Sequence, residues 1–295
     1  MKLLFKIQFF FLFVLMVISC QKTVIINVKN SPQKNVCNVI LSKDSFIGGY
    51  FYESLQILSN DSFRPIFEGS MKIFDQNNTQ VAYQLLSNSG GYFSNNKVQE
   101  GACYTLDFSS YFGTSYAKTC VPLLPNITNL DTAVIVQQND TLLRIRLSIK
   151  DSSIVANYYT FSCKSYEIFR ILSLPNGTKD TQYKWIDKAL NSNNPLLFIN
   201  ENNYSNKIYL LEDKQFDGQL FDCEFTLSLT TSNLKEIIFY VDAIDINLFK
   251  YYRTFNAQRF YSNDPNAHYI SVFNNIENGY GIFGARSRFS YYYKN

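Results

Sequence analysis

Cys20 is the residue of this sequence with the most defined chemistry. It follows Val17-Ile18-Ser19, the form of a bacterial lipobox, in which a peptidase cuts before a cysteine already carrying a diacylglyceryl thioether. The reaction needs a thiol at the first mature position, because the sulfur is the nucleophile that becomes acylated, and a small residue before it, here Ser19. Lys2 and Lys6 precede the apolar run Phe9–Ile18, which together have the form of an export signal. The run is shorter than the ~20 residues of a stable bilayer-spanning helix. Residues 1–19 are therefore expected to be a removed signal peptide, with Cys20 fixing the chain to a lipid bilayer through acyl chains worth ~0.8 kcal/mol per buried methylene. Gln21, where an inner-membrane retention signal has Asp, favours the outer membrane. Gln21-Lys22-Thr23 contains no acid, which favours a periplasm-facing position over a surface-exposed one.

The other reactive residues form weaker constellations. Five cysteines follow Cys20, so export permits disulfides and leaves at least one thiol free. Cys103 and Cys120 flank an expected hairpin turning near Tyr111-Phe112-Gly113, where they fall nearly opposite each other. Cys163 and Cys223, each in a strand-like run, are the second candidate pair; buried free thiols are the alternative for both. No Cys-x-x-Cys occurs and His268 is the single histidine, so neither a metal site nor a haem is expected. Asp242 and Asp245 are the nearest approach to a carboxylate pair, but they read as a turn acid and a helix cap. A glycosidase needs two carboxyls ~5–10 Å apart across a cleft. His268 lacks a serine or cysteine elbow, so no hydrolase triad is expected. Gly279-Tyr280-Gly281-Ile282-Phe283-Gly284 matches a dinucleotide fingerprint, but the chain ends too soon after it for a βαβ unit. No nucleotide is expected there; the glycines suit a bulged final strand lying close against another backbone. Gly49-Tyr50-Phe51-Tyr52 is one aromatic stretch, and Tyr291, Tyr292 and Tyr293 form a candidate aromatic binding patch, since ring faces stack on ligands at low entropy cost.

The elements that must position these residues are mainly strands. Of 295 residues, 17% are charged and 17% aromatic, which excludes a disordered chain. There are 27 lysines and arginines against 24 acids, and loss of Lys2 and Lys6 leaves 25 against 24. Such a near-neutral chain has no electrostatic footprint for nucleic acid. Leu143–Lys150 and Phe225–Thr230 alternate apolar and polar residues, the period of half-buried antiparallel strands. Met71–Asp75 and Gln80–Leu85 flank Gln76-Asn77-Asn78-Thr79, a hairpin turn. Asn38–Ser42, Ala102–Phe108, Ser115–Cys120, Tyr158–Ser162, Lys207–Leu211 and Ile237–Asp242 extend the strand list. Two segments read as helical: Ile246–Phe255, capped by Asp245, and Gln182–Leu190, where Trp185, Ile186 and Ala189 share a face. The prolines of Val121-Pro122-Leu123-Leu124-Pro125 mark a boundary. The expected architecture is mainly β: two β-sandwich domains, Ig-like or transthyretin-like, over residues 20–125 and 126–295, the second with one or two short helices.

The run Phe273–Ala285, with its Asn-Ile, glycine pair and Gly-Ile-Phe-Gly, resembles the closing signature of a Bacteroidota lipoprotein family, domain-of-unknown-function family 4249. Leu41-Ser42, Gly91-Tyr92-Phe93, Gly101 with Tyr104-Thr105-Leu106, Thr119 with Val121-Pro122, Asn157-Tyr158-Tyr159 and Tyr251-Tyr252 occur in the family's order. Asn278 and Tyr280 stand where the family often has Gly and Leu. The resemblance implies an outer-membrane lipoprotein encoded beside TonB-dependent receptors, with no established activity and no catalytic residues. The expected function is that of a non-enzymatic binding or accessory protein without cofactor, with the bilayer and an outer-membrane TonB-dependent receptor as partners. The alternative is a structural or adhesive β-sandwich subunit of the cell surface.

Overall fold

A computed structural model describes residues 32–56, 61–83, 91–137, 140–173, 178–203, 206–229, 234–261 and 270–294. Cys20, the signal segment and His268 lie outside the described residues. The first half of the chain contributes β1 (Asn35–Ser42), β2 (Phe46–Glu53), β3 (Gly69–Asp75), β4 (Gln80–Tyr83), β5 (Gly91–Lys97), β6 (Cys103–Ser110) and β7 (Gly113–Cys120). The second contributes β8 (Ile127–Gln137), β9 (Asp140–Lys150), β10 (Tyr158–Ser173), β11 (Lys179–Lys188), β12 (Phe198–Asn203), β13 (Asn206–Glu212), β14 (Leu220–Ser228) and β15 (Leu234–Ile244). Helix α1 (Ile246–Tyr261) and strand β16 (Gly279–Lys294) close the chain.

The protein is a mainly β molecule of packed sheets. A nine-stranded sheet runs β12-β13-β10-β15-β16-β1-β2-β5, with β11 added on β10. A four-stranded sheet, β4-β3-β6-β7, and a three-stranded sheet, β14-β9-β8, accompany it. The period-two pattern of β9 does what alternation dictates: Leu143, Ile145, Leu147 and Ile149 are buried while the residues between them are not. Each such side chain contributes ~1.5–3 kcal/mol relative to exposure. They meet Phe221, Cys223, Phe225 and Leu227 of β14 and Phe161, Phe239 and Val241 of the large sheet in one core. A separate core joins Val39, Phe51, Ile73, Leu106 and Phe108 of the first half, with the rings of Phe51 and Phe108 stacked 3.9 Å apart.

The expected partition at residue 125 does not hold for the last strand. β16 pairs in parallel with β1, Asn35 opposite Gly279 through Ser42 opposite Arg286, and antiparallel with β15. Phe283 and Ala285 enter the first core, whereas Phe289, Tyr291 and Tyr293 pack on the second. These five positions are all odd-numbered, so one face of one strand serves both cores. On the opposite face Ile282 meets Leu248 and Phe249 of α1, together with Tyr158 and Ile244.

The glycines of β16 answer to this close pairing. Gly281 has φ +111°, and a Cβ there would lie 2.2 Å from the Cys37 carbonyl oxygen; one at Gly279 would lie 2.9 Å from that of Asn35. The register with β1 is unbroken, so they serve close backbone approach without the expected bulge.

Two further expectations are corrected. Gln182–Leu190 is not helical: residues up to Lys188 are in β11, with Trp185 opposite Tyr166 and Ile186 opposite Ser165. The Tyr166 ring lies 5.0 Å from Trp185 and 5.4 Å from Tyr183, and Lys188 Nζ reaches Glu167 at 2.6 Å. Such cross-strand pairs override a weak local helical pattern. One α-helix therefore stands among the described residues of the second half, with a short 3-10 turn at Asp213–Gln215. Cys163 and Cys223 are not bridged. They are free buried thiols on β10 and β14, each packed in the aromatic second core.

Candidate functional site

Where β7 gives way to β8, the linker Val121–Asn126 borders a cleft of about 740 Å³ whose other walls are the 151–157 loop and the start of α1. Pro122 and Pro125 lack a backbone donor and hold the linker extended. Its ends are anchored: Val121 N donates to Ala102 O at 2.9 Å, Ser287 Oγ donates to Pro122 O at 2.6 Å, and Leu124 N donates to Glu100 Oε1 at 2.8 Å. Glu100 is itself paired with Lys43 at 2.8 Å, and the hydrogen bond from Lys43 holds its carboxyl below the ordinary value. Val121, Leu124, Val155, Tyr158 and Ile244 make the walls largely apolar, and Lys118, Lys150, Asp151 and Asn157 bring polar groups to the rim.

Asp245 lies at one end of this cleft. It is the N-cap of α1, accepting from Leu248 N at 3.1 Å and Asn247 N at 3.3 Å. It also accepts from Ala285 N at 3.0 Å and Thr119 Oγ1 at 2.8 Å. One carboxylate thus ties together β7, β16 and α1. Burial raises its pKa, outweighing these four donors, each of which pulls the other way.

Behind the wall that Asp151 lines, carboxylate oxygens of Asp151, Asp213 and Asp217 lie within 4.8 Å of one another. Hard oxygens in such a group suit a divalent cation. Two of the three already have donors: Tyr159 OH at 2.8 Å and Gly218 N at 2.9 Å on Asp151, and Asn157 N on Asp213. Burial raises the pKa of Asp213, with Asp151 and Asp217 adding to the effect. The arrangement straps the 151–157 loop to the turn after β13.

A second concavity, of about 490 Å³, lies on the outer face of β9 and β14. Its floor is an ion pair, Arg146 Nε to Glu224 Oε2 at 2.6 Å, beside a hydrogen bond from Ser148 to Asp222. The segment Asn191–Asn194 forms its rim, held by paired backbone bonds between Asn191 and Thr226. This groove sets charged and amide groups beside Leu147 and Cys223.

The residues singled out in the sequence are dispersed. Asp242 and Asp245 have separate sets of partners. Asp242 is a buried strand acid on the helix-covered face, taking two bonds from Arg288, at 2.6 and 2.7 Å, with Arg286 at 3.5 Å. The Arg288 guanidinium lies 4.1 Å from the centroid of Tyr240. Cys103 and Cys120 stand directly opposite in the β6–β7 hairpin and are disulfide-bonded. Tyr291, Tyr292 and Tyr293 do not share a face: Tyr292 is 57% exposed, while Tyr291 and Tyr293 turn toward the second core. Alternation along a strand makes a three-residue patch impossible. The cleft residues Asp151 and Asn157, and Asp213 behind them, carried no local signal, because Asn157 and Asp213 are 56 positions apart.

A family model described as Domain of unknown function (DUF4249) matches residues 20–291. No curated protein matches the chain. Solved structures that match include bovine butyrophilin, 8% identical over 72% of this chain and 92% of that one, with a TM-score of 0.21. Collagen adhesin from S. aureus is 6% identical over 89% of this chain and 94% of that one, with a TM-score of 0.24. A structure titled for manganese lipoxygenase of Gaeumannomyces graminis and zonadhesin of Komagataella pastoris is 10% identical over 71% and 88%, with a TM-score of 0.21. At these TM-scores the likenesses carry no argument.

Proposed function

The chain belongs to the DUF4249 family, and from that premise we propose that it is a lipoprotein of a Bacteroidota outer membrane, anchored through acylated Cys20 and facing the periplasm. Its β body binds a ligand or partner without catalysing a reaction and serves as accessory to a TonB-dependent receptor. The observation that carries the binding role is the linker cleft. Its volume of about 740 Å³ falls within the ~300–1,000 Å³ of small-molecule sites, and such sites are mostly apolar with a few placed polar groups. The export signal and lipobox support the anchor, and the family resemblance supports the receptor partnership.

The test separates the parts. Cys20→Ala should move the protein out of the membrane fraction; a variant that still sediments with membranes refutes the anchor. The acylated wild type, extracted in detergent, should co-purify with an outer-membrane receptor, and recovery with none refutes the partnership. Ala156→Trp fills the cleft from the exposed loop and should abolish that recovery while circular dichroism is unchanged; undiminished recovery removes the cleft from the binding role.

A further inference from the structure

Strand β8 is a long, exposed edge of the three-stranded sheet. Among the described residues it pairs with β9 alone. The register sets Leu130, Thr132 and Val134 opposite the buried Leu147, Ile145 and Leu143, so these side chains, with Val136, project from the core face of their sheet. Yet Val134 is 51% and Val136 77% exposed.

The opposing sheet is also incomplete at this side. β1 pairs with β16 only as far as Arg286, and beyond that point, among the described residues, Ser287–Lys294 pairs with β15 alone. Tyr291 and Tyr293 turn inward there, and the Tyr291 hydroxyl meets Thr132 Oγ1 at 3.3 Å. The seam between the two sheets is therefore open, with an aliphatic edge over an aromatic one.

Edges are ordinarily blunted by charge, proline, a bulge or a cover. β11 carries Lys179, Lys184 and Lys188. β14, the other edge of the same small sheet, is bridged by Asn191 and bears Asp222 and Glu224. β8 has eleven residues without lysine, arginine or proline, and Asp131 is its only charge. Its one register shift lies at the Ile127 end, away from the exposed valines.

We infer that β8 pairs antiparallel with β8 of a second copy of this chain, joining their three-stranded sheets into one. The strand itself has the chemistry the open seam lacks: an extended edge with a single charge and an alternating apolar face. A two-fold axis perpendicular to the sheet keeps both inward faces on the same side, as an isologous interface requires. With the axis at Val134, Asp131 of each copy falls opposite Gln137 of the other, so no like charges meet. The valines of both copies then close over the tyrosines beneath.

The full acylated chain carrying Val134→Cys, oxidised mildly in its own membranes, tests this. Opposed Cβ atoms at the axis lie ~4.5–5.5 Å apart, so a disulfide-linked dimer should form. Ile154→Cys, at a position 88% exposed in a loop, is the control for random collision and should stay monomeric. Adding Val136→Lys to the Val134→Cys chain should lower the linked fraction about tenfold or more. The inference is overturned if Val134→Cys stays monomeric or links no better than the control. Cross-linking to a different protein, or linking unaffected by Val136→Lys, overturns it equally.

Discussion

Asp245 joins three elements beside the cleft, accepting from Thr119, Ala285, Asn247 and Leu248. An aspartate before an apolar run at helical spacing announces a cap, and that much was legible locally. The bonds to Thr119 and Ala285 were not, since they come from residues 126 and 40 positions away. The same distance effect hid Asp242, whose partner Arg288 is 46 positions removed. Asp245→Ala removes the cap on the Leu248 N–H, worth ~1 kcal/mol, and takes its carboxylate acceptor from the buried Ala285 N–H, at ~1–3 kcal/mol. A loss of about 2–4 kcal/mol in urea denaturation is expected; less than about 1 kcal/mol would mean that water replaces the carboxylate. The pH dependence has a defined sign. Burial lifts the folded pKa above the ordinary 3.8, so the native state holds the proton more tightly than the unfolded chain. The linked stability is present below 3.8 and is lost as pH rises through the raised folded value. Asp213 is raised in the same direction, so Asp245→Ala should flatten this fall in part and not abolish it.

The β6–β7 hairpin is the element the sequence describes most completely. Its alternation, its turn and the facing cysteines are all local, and Gly113 takes φ +103° at the turn. The Gln76–Thr79 turn was legible for the same reason, with Asn78 at φ +60°. β11 was not, because its state is decided by the aromatic partners across β10, and neither was the parallel pairing of β1 with β16, which has no local signature. The Cys103–Cys120 bridge closes a loop with a sequence separation of 17. A loop of that size restricts the unfolded chain by about 3 kcal/mol in the entropic account. Cys103→Ser with Cys120→Ser should therefore lower stability by about 2–4 kcal/mol. The fold should survive, because β6 also pairs along its length with β3 and buries Leu106 and Phe108. Loss of far-ultraviolet β signal in the double variant would show that the bridge, and not the β3 pairing, holds the hairpin.

A chain with two cores would ordinarily unfold in two steps. Here β16 belongs to both, pairing with β1 along Gly279–Arg286 and with β15 along Arg286–Lys294, so opening of either core is expected to disturb the strand that the other holds. The three free cysteines among the described residues report on this directly: Cys37 lies in the first core, Cys163 and Cys223 in the second. Burial pushes Cys37 and Cys163 up to about 12 and raises Cys223 as well. In the native state all three are protonated and shielded from thiol reagents. Under increasing urea they should become labelled at one common midpoint, read residue by residue by mass spectrometry. Phe283→Ala sharpens the test. It excavates the first core, at ~3–5 kcal/mol for a buried Phe, yet it should shift the labelling midpoint of Cys223 in the second core as far as that of Cys37. Labelling of Cys37 while Cys163 and Cys223 stay protected would mean that the last strand peels from β1 and remains on β15, so that the two cores are joined by the chain but not by their stability.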